Sequence, residues 1–417
     1  MIPPTVTPAG RTAPRASDLA RNFLLDPSVT FLNHGSFGST PRAVLEVQRE
    51  FQLRLEREPV RFMVEELEDL LDASRAALGA LVHAEPCDLA FVSNITSAVN
   101  AVLRSLDFRP GDDLLTTSHE YNACNNAMRF VADRAGARVT VAPIPFPIAS
   151  PDQALDAVLA AVTPRTRLAM ISHVTSPTAL VLPVERMTAE LARRGVTVLI
   201  DGAHAPGMVN VDIRRLESLG AAFYAANCHK WLCAPKGAGF LWTRRDLQPR
   251  IRPAVISHGA NSPRTDRSRY LLEFDWPGTI DWSPVLALPA ALREVPAMLG
   301  PRATWNDVMT RNRALAIRGS EIIRGALSAP PGAPDDMIGS IAAVPLPDSV
   351  SAAPEHRTYP DPLQRKLIDR FRIQVPIVPF PSHPRRLVRI SAQLYNHESQ
   401  YLYLAEALRD LLRDEAP

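Results

Sequence analysis

A chain of 417 residues exceeds what a single apolar core usually supports, so two folding units are expected. At 46% hydrophobic, 22% charged and a formal net charge of +2, it has the make-up of an ordinary globular chain and no basic or acidic block for nucleic acid or a membrane surface. Four cysteines, at 87, 124, 228 and 233, make neither a disulfide scaffold nor a zinc pattern, so no metal is expected and a reducing, cytoplasmic setting is.

The N-terminus, "MIPPTVTPAGRTAPRAS", is rich in Pro and Ala without the apolar stretch of a secretory signal, and residues 1–20 read as a disordered lead-in. "SVTFLNHGSFGSTPRAV" then gives a short apolar segment, a Gly-containing turn and a helix start at Ser39-Thr40-Pro41. Two amphipathic segments follow, Arg42–Glu56 and Phe62–Leu81. From there apolar runs read as strands: Leu89–Val92, Asp113–Thr117, Val139–Val141, Leu168–His173, Val196–Asp201, Ala222–Ala226 and Gly239–Trp242. Helical patterns lie between most of them, at Thr96–Leu106, Asn122–Ala135, Pro151–Val162 and Val184–Arg194. That alternation predicts an α/β fold with a mostly parallel sheet.

Arg244–Arg269 is Arg-rich and reads as loop. Beyond Trp282 the pattern changes to helices at Pro284–Leu299 and Trp305–Leu327 and a strand at Ile338–Val344. Helix Asp361–Phe371, strands Gln374–Pro379 and Arg386–Ser391, and a closing helix His397–Arg413 complete it. The expected organisation is therefore a large domain over 21–283, its first residues packing on the small domain, and that smaller α+β domain over 284–417.

The chemistry gathers in "VTVLIDGAHAPG…AAFYAANCHKWLCAPKGAGF". Asp201 closes an apolar strand, where ligands sit in open parallel sheets. Of the 46 basic residues only three are lysines: 230, 236 and 366. Lys366 falls off the apolar stripe of its helix, and Lys236 lies inside a turn beside Pro235. Lys230 follows an apolar run next to a histidine, where burial lowers an amine's pKa. An acid at a strand end and a lysine on a following turn are what pyridoxal phosphate (PLP) requires, as partner of the pyridine nitrogen and as Schiff-base amine. A carboxylate about 4 Å from a pyridinium contributes roughly 4 kcal/mol at an effective dielectric near 20.

Other residues suit the same ligand. "FVSNITSAVNAVL" opens a helix at Ile95-Thr96, where backbone N–H groups and the dipole favour a phosphate. Asn227 and His229 are placed to donate to it, His204 to reach the ring's phenolic oxygen, and Tyr121 to lie over an aromatic ring. Arg389, among Leu387, Val388 and Ile390, calls for an anion, and a substrate carboxylate suits its fork. Taken singly, each has a plainer use: Asp201 in a turn or cap, His204 as a structural histidine, Lys230 on a surface turn, Asn94–Thr96 as an N-cap, Tyr121 as core or rim, Arg389 in an ion pair. The arginines at 264–269 read as solvated, with a second carboxylate as the alternative.

Together, "FLNHGSFGSTP", "SNITSAVN", "HEYNAC", "SHVTSPTALVLPV", "DGAHAPG", "CHKWLCAPKGAGFLW", "PGTIDWSP" and "VRISAQLYN" resemble the class V PLP-dependent aminotransferase superfamily, in its isopenicillin-N epimerase-like branch, related to the cysteine desulfurases. The resemblance implies a type I PLP-dependent transferase fold and a homodimer with shared sites. It implies Lys230 as the Schiff-base lysine, Asp201 at the pyridine nitrogen, and His204 and Ser176 at the phenolic oxygen. It implies Tyr121 stacked on the ring, and Ile95, Thr96, Asn227 and His229 at the phosphate with Gly278 and Thr279 of the other subunit. Arg389 would bind the substrate carboxylate, with Asn33 and His34 lining the pocket. No cysteine follows Cys233, so the nucleophile of the desulfurases has no counterpart.

The reaction expected is epimerisation or racemisation at Cα, with Lys230 as base and Tyr121 or His34 as the second acid. A C–S lyase acting on cysteine-conjugate sulfoxides, or an aminotransferase, would begin with the same deprotonation. A non-catalytic scaffold on this fold is the alternative outside enzymes.

Overall fold

The computed structural model describes residues 14–352 and 361–415. Residues 1–13 of the lead-in and 353–360 of the Pro-rich segment lie outside the described residues. Within the expected disordered stretch, Ser17 donates its N–H to the Tyr395 carbonyl (3.1 Å) and caps a 3-10 turn, Asp18–Asn22. The chain is thus tied down from Ser17, because a short cap and a partner strand end are both within reach.

The strands are β1 (Thr30–Phe31), β2 (Leu89–Val92), β3 (Asp113–Thr117), β4 (Arg138–Ala142), β5 (Thr166–Ser172), β6 (Thr197–Asp201), β7 (Ala221–Asn227) and β8 (Gly239–Thr243). β9 (Ile341–Leu346), β10 (Ile373–Gln374), β11 (Ile377–Pro379) and β12 (Arg386–Ser391) follow. β2 to β8 form one sheet in the order β2-β8-β7-β6-β5-β3-β4, parallel except for β8, which runs against both neighbours. Its central strands are buried on both faces, which is why they read as continuous apolar runs and not as alternation.

Helix ends follow local chemistry. Asn94 caps Ile95–Ser105 by accepting from the Ser97 N–H, and Gly136 ends Asn122–Ala135 in the left-handed region. A Thr304–Asp307 capping box starts Trp305–Leu327. Asp361 caps Pro362–Phe371 with Pro in the first turn.

β9, β11 and β12 form a second, antiparallel sheet in the order β11-β12-β9. The segment expected as one strand at 374–379 divides into β10 and β11, because its ends serve different partners. β10 pairs in parallel with β1, Thr30 opposite Ile373, and β11 pairs with β12. The packing also departs from a boundary at 283/284. Val285, Leu288 and Val295 join the apolar cluster of Leu71 and Leu78, and so do Trp305 and Val308, whereas Ala316 and Ile323 on the same helix belong to the C-terminal cluster. The change of cluster falls inside the Trp305–Leu327 helix.

Of the arginines at 264–269, Arg264 and Arg269 are exposed as expected and Arg267 is largely withdrawn from solvent, and all three are ion-paired. Arg267 pairs with Asp72 and Asp275, Arg264 with Glu68 and Asp266, and Arg269 with Glu273. Beneath them Arg75, 1% exposed, donates Nε to the Leu89 carbonyl of β2 (3.0 Å) and pairs with Asp72 and with the buried Asp275. Replacing Arg75 by Ala leaves Asp275 buried with one cation fewer, and truncation of such pairs costs about 3–5 kcal/mol. Denaturant titration should show a loss of that size for Arg75→Ala and a smaller one for Arg267→Ala, whose side chain is less buried.

Candidate active site

Strand ends and turns bring most of the predicted residues to one cavity of about 720 Å³ at the carboxyl edge of the large sheet. It is lined by Asp201 from β6, Lys230 and His229 after β7, Tyr121 after β3 and Ser176 after β5. Asn94–Ser97 and Asn227 close one end.

Asp201 is 3% exposed and accepts the Ala203 N–H (2.9 Å) and the Cys124 thiol (3.4 Å). The Lys230 Nζ lies 3.0 Å from His204 Nε2, and the Trp231 indole N–H donates to His204 Nδ1 at 3.3 Å. Burial, followed by the Arg389 charge, pushes the Lys230 amine down to about 7 against the opposing pull of Asp201. Burial likewise keeps His204 neutral.

At the other end, the first turn of Ile95–Ser105 presents its N-terminus to the cavity. The Ile95 N–H is already given to Asn227 Oδ1 (2.9 Å), so Thr96 and the Asn227 amide nitrogen are the groups left for an anion. His229 Nδ1 donates to the Ala238 carbonyl (2.9 Å), which turns its Nε2 the other way. Tyr121 is 46% exposed at the rim.

Arg389 on β12 is 5% exposed, with Nη1 bonded to the Ser176 carbonyl (2.6 Å) and Nη2 to Ser36 Oγ (3.1 Å). Its Nε has no partner and no carboxylate pairs with it among the described residues. Arg386, three residues earlier, is paired with Asp361 (2.9 Å) and Glu415. Of the two buried arginines on this strand, only Arg389 is left with capacity for an incoming anion.

Five predicted residues do not line the cavity: Arg389, which stands behind Ser36 and Ser176, and His34, Asn33, Gly278 and Thr279. His34 is fully buried outside the lining, its Nε2 donating to the Lys230 carbonyl (2.9 Å) and its Nδ1 accepting from the Tyr395 hydroxyl (2.8 Å). Burial drives its pKa to about 3. Both ring nitrogens are therefore engaged, and it has no free proton to offer a substrate. Asn33 accepts from Ser36 Oγ (2.6 Å), behind the lining. Gly278 and Thr279 lie on a surface loop after the Arg269–Phe274 helix and do not line this cavity.

Sequence reasoning passed over Ser36, Phe37, Ser172 and Lys236, which line the cavity, and Glu120. Glu120 is buried; its Oε1 accepts from Ser172 Oγ (2.7 Å) and the Tyr121 N–H (3.0 Å), and its Oε2 has no partner. An acid immediately before Tyr121 at the end of a buried strand was the available signal. Burial, with the Asp201 charge behind it, raises Glu120 to about 8. The Ala203 N–H and the Cys124 thiol stabilise a charge on Asp201, and that charge in turn raises Glu120, so the proton rests on Glu120. None of the four cysteines lines the cavity, and no His/Cys/Asp/Glu group suited to a metal ion occurs among the described residues.

The aminotransferase class V family model matches residues 31–281. The chain is 37% identical to an isopenicillin N epimerase from Amycolatopsis lactamdurans, over 93% of this chain and 96% of the relative. It is 31% identical to a probable chloroplastic L-cysteine desulfhydrase from Arabidopsis thaliana, over 93% and 84%. A solved structure of a C-DES mutant with glycine covalently linked to its PLP cofactor superposes with a TM-score of 0.75 at 23% identity, over 94% of this chain and 99% of that one.

Glu120 generates a pH signature in the protein without cofactor. Its folded pKa lies above the ordinary carboxylate value, so its proton stabilises the native state fully below about pH 4.5, and this contribution is lost as pH rises through about 8. Glu120→Gln should abolish that decline, a difference of slope up to about 1.4 kcal/mol per pH unit between the two proteins. Parallel unfolding curves across that range would mean that Glu120 is ionised in the native state.

Proposed function

This chain belongs to the class V aminotransferase family and has the type I fold of its PLP-dependent enzymes, and from that premise we propose that it removes and returns the Cα proton of an amino acid so as to invert that centre. The observation that carries the reading is a near-neutral lysine amine in a cavity backed, behind Ser36 and Ser176 of its lining, by a buried arginine, Arg389, with an unpartnered Nε.

The residues present fit PLP, which when bound supplies an electron sink for charge developing at Cα. Asp201 would face its ring nitrogen, His204 and Ser176 its phenolic side, and Thr96, Asn227 and His229 its phosphate. Arg389, steadied by Ser36 and Ser176, takes the substrate carboxylate and thereby orients Cα. Lys230, with a pKa of about 7, is matched to accepting and releasing a proton at neutral pH. Tyr121 at the rim is the group placed to serve the opposite face, a role His34 does not take because both its nitrogens are engaged.

We assign the working protein as a homodimer in the cytoplasm. Gly278 and Thr279 lie away from their own cavity, Phe37, Val255 and Ile280 expose apolar side chains, and three of the four cysteines are buried and free, as suits a reducing compartment.

A second reading, C–S bond cleavage of a cysteine-type substrate, is favoured by the relatives named L-cysteine desulfhydrase. Its proton steps use the same Lys230 and Arg389. A route through a cysteine nucleophile has no support, since none lines the cavity.

Turnover of amino acids in deuterated water separates the readings. Inversion predicts Cα deuteration with loss of optical rotation and no keto acid, whereas pyruvate and sulfide would establish the lyase. Under either, Arg389→Ala should lower kcat/KM by about 100-fold, the equivalent of losing a charge-assisted hydrogen-bond pair of ~3 kcal/mol. An unchanged value would remove Arg389 from substrate binding.

A further inference from the structure

We propose that Trp231, acting through His204, is a positioning residue that keeps the Lys230 amine unprotonated in the protein before its cofactor arrives. The proposal rests on the reading of Lys230 as the reactive amine, but its geometry stands on its own.

A neutral imidazole has one donor nitrogen and one acceptor, and an indole N–H can only donate. The Trp231 N–H points at His204 Nδ1, so Nδ1 is the acceptor and the proton sits on Nε2. That nitrogen faces Lys230 Nζ at 3.0 Å. An amine can accept this N–H only as the free base; an ammonium would set donor against donor. Protonating Lys230 would require His204 to move its proton to Nδ1, leaving the indole N–H of a fully buried tryptophan without a partner. Rotating the imidazole by half a turn would present carbon to both neighbours, so the orientation is settled by the pair of contacts.

The indole is itself held. It packs on the His34 ring (4.8 Å between centroids), and Gly207, at φ +83°, runs so close that an added Cβ would lie 2.7 Å from the Trp231 carbonyl. The other groups that act on the amine are Asp201 and Cys124, which favour its charge, and Arg389, which opposes it. His34 touches only the Lys230 carbonyl. The depressed Lys230 pKa agrees with this arrangement.

The test uses the full chain freed of cofactor. Nitrogen-15 NMR of labelled histidine, with His204 assigned by its loss in His204→Gln, should report the Nε2–H tautomer in the parent and a shift towards Nδ1–H or imidazolium in Trp231→Phe. In parallel, the pH midpoint for reductive methylation of Lys230, read by peptide mass, should rise by about one unit or more in Trp231→Phe. In the His204→Gln background the Trp231→Phe change should leave that midpoint where it is. An Nδ1–H tautomer in the parent overturns the proposal even if Trp231→Phe fails to fold. So does a midpoint that moves equally with and without His204, since Trp231 would then act by packing alone. Failure of PLP and borohydride to label Lys230 would instead sink the functional reading and leave the tautomer result intact.

Discussion

The hydrogen bond from His34 to the Lys230 carbonyl is the contact on which the rest of the site depends. It belongs to a turn, His34–Thr40, wedged between the edge of the large sheet and the C-terminal strands. From that turn Gly35 donates to Ser391 Oγ (3.0 Å), Thr40 to the Ala234 carbonyl (3.1 Å), and His34 accepts from Tyr395. Gly38 passes the lysine loop at φ +73°, where an added Cβ would lie 2.0 Å from the His229 carbonyl. The main chain of Lys230 is thus fixed from one side by an N-terminal turn and its side chain from the other by His204. Ser36, on that turn, also holds Arg389 behind the cavity lining, together with Ser176.

Charge in the cavity follows from burial more than from proximity. Two acids, Asp201 and Glu120, and two bases, Lys230 and Arg389, are withdrawn from water together, and each is driven towards its neutral form. Arg389 keeps its charge, because its pKa, lowered to about 10, is still well above neutrality. Lys230 falls near neutrality. The resulting site holds one fixed cation for an anionic substrate and one amine able to change protonation state, a division of labour set by the different starting pKa values of guanidinium and amine.

Much of this was legible in the chain. The buried central strands β6 and β7 are apolar over most of their length and stood out as runs, and helices with strong local ends, Asn122–Ala135 and Trp305–Leu327, could be bounded to the residue. Asp201, Lys230 and Tyr121 were recognisable because a strand's carboxyl end is where sheets present function. What escaped was long-range. Nothing local pairs Thr30 with Ile373, or assigns Arg267 to Asp72 and Asp275. His34 was misread as facing the substrate because a histidine in a Gly-containing turn carries no mark of direction; only its two partners, both distant in sequence, decide it. Glu120 was overlooked for the opposite reason, since an acid beside an exposed tyrosine looks solvated until the strand burying it is seen.

The 23-residue Trp305–Leu327 helix bears on how such a chain can be taken apart. Its opening turns are anchored among the side chains of Leu71 and Val295, and its later turns among those of Ile390 and Leu404. A cut ahead of it strips the larger body of Trp305 and Val308, and one behind it robs the smaller body of Ala316 and Ile323. Neither half is a transferable module. A chimera exchanging C-terminal segments between relatives would therefore need its crossover outside this rod, with both of the rod's faces inherited from one parent.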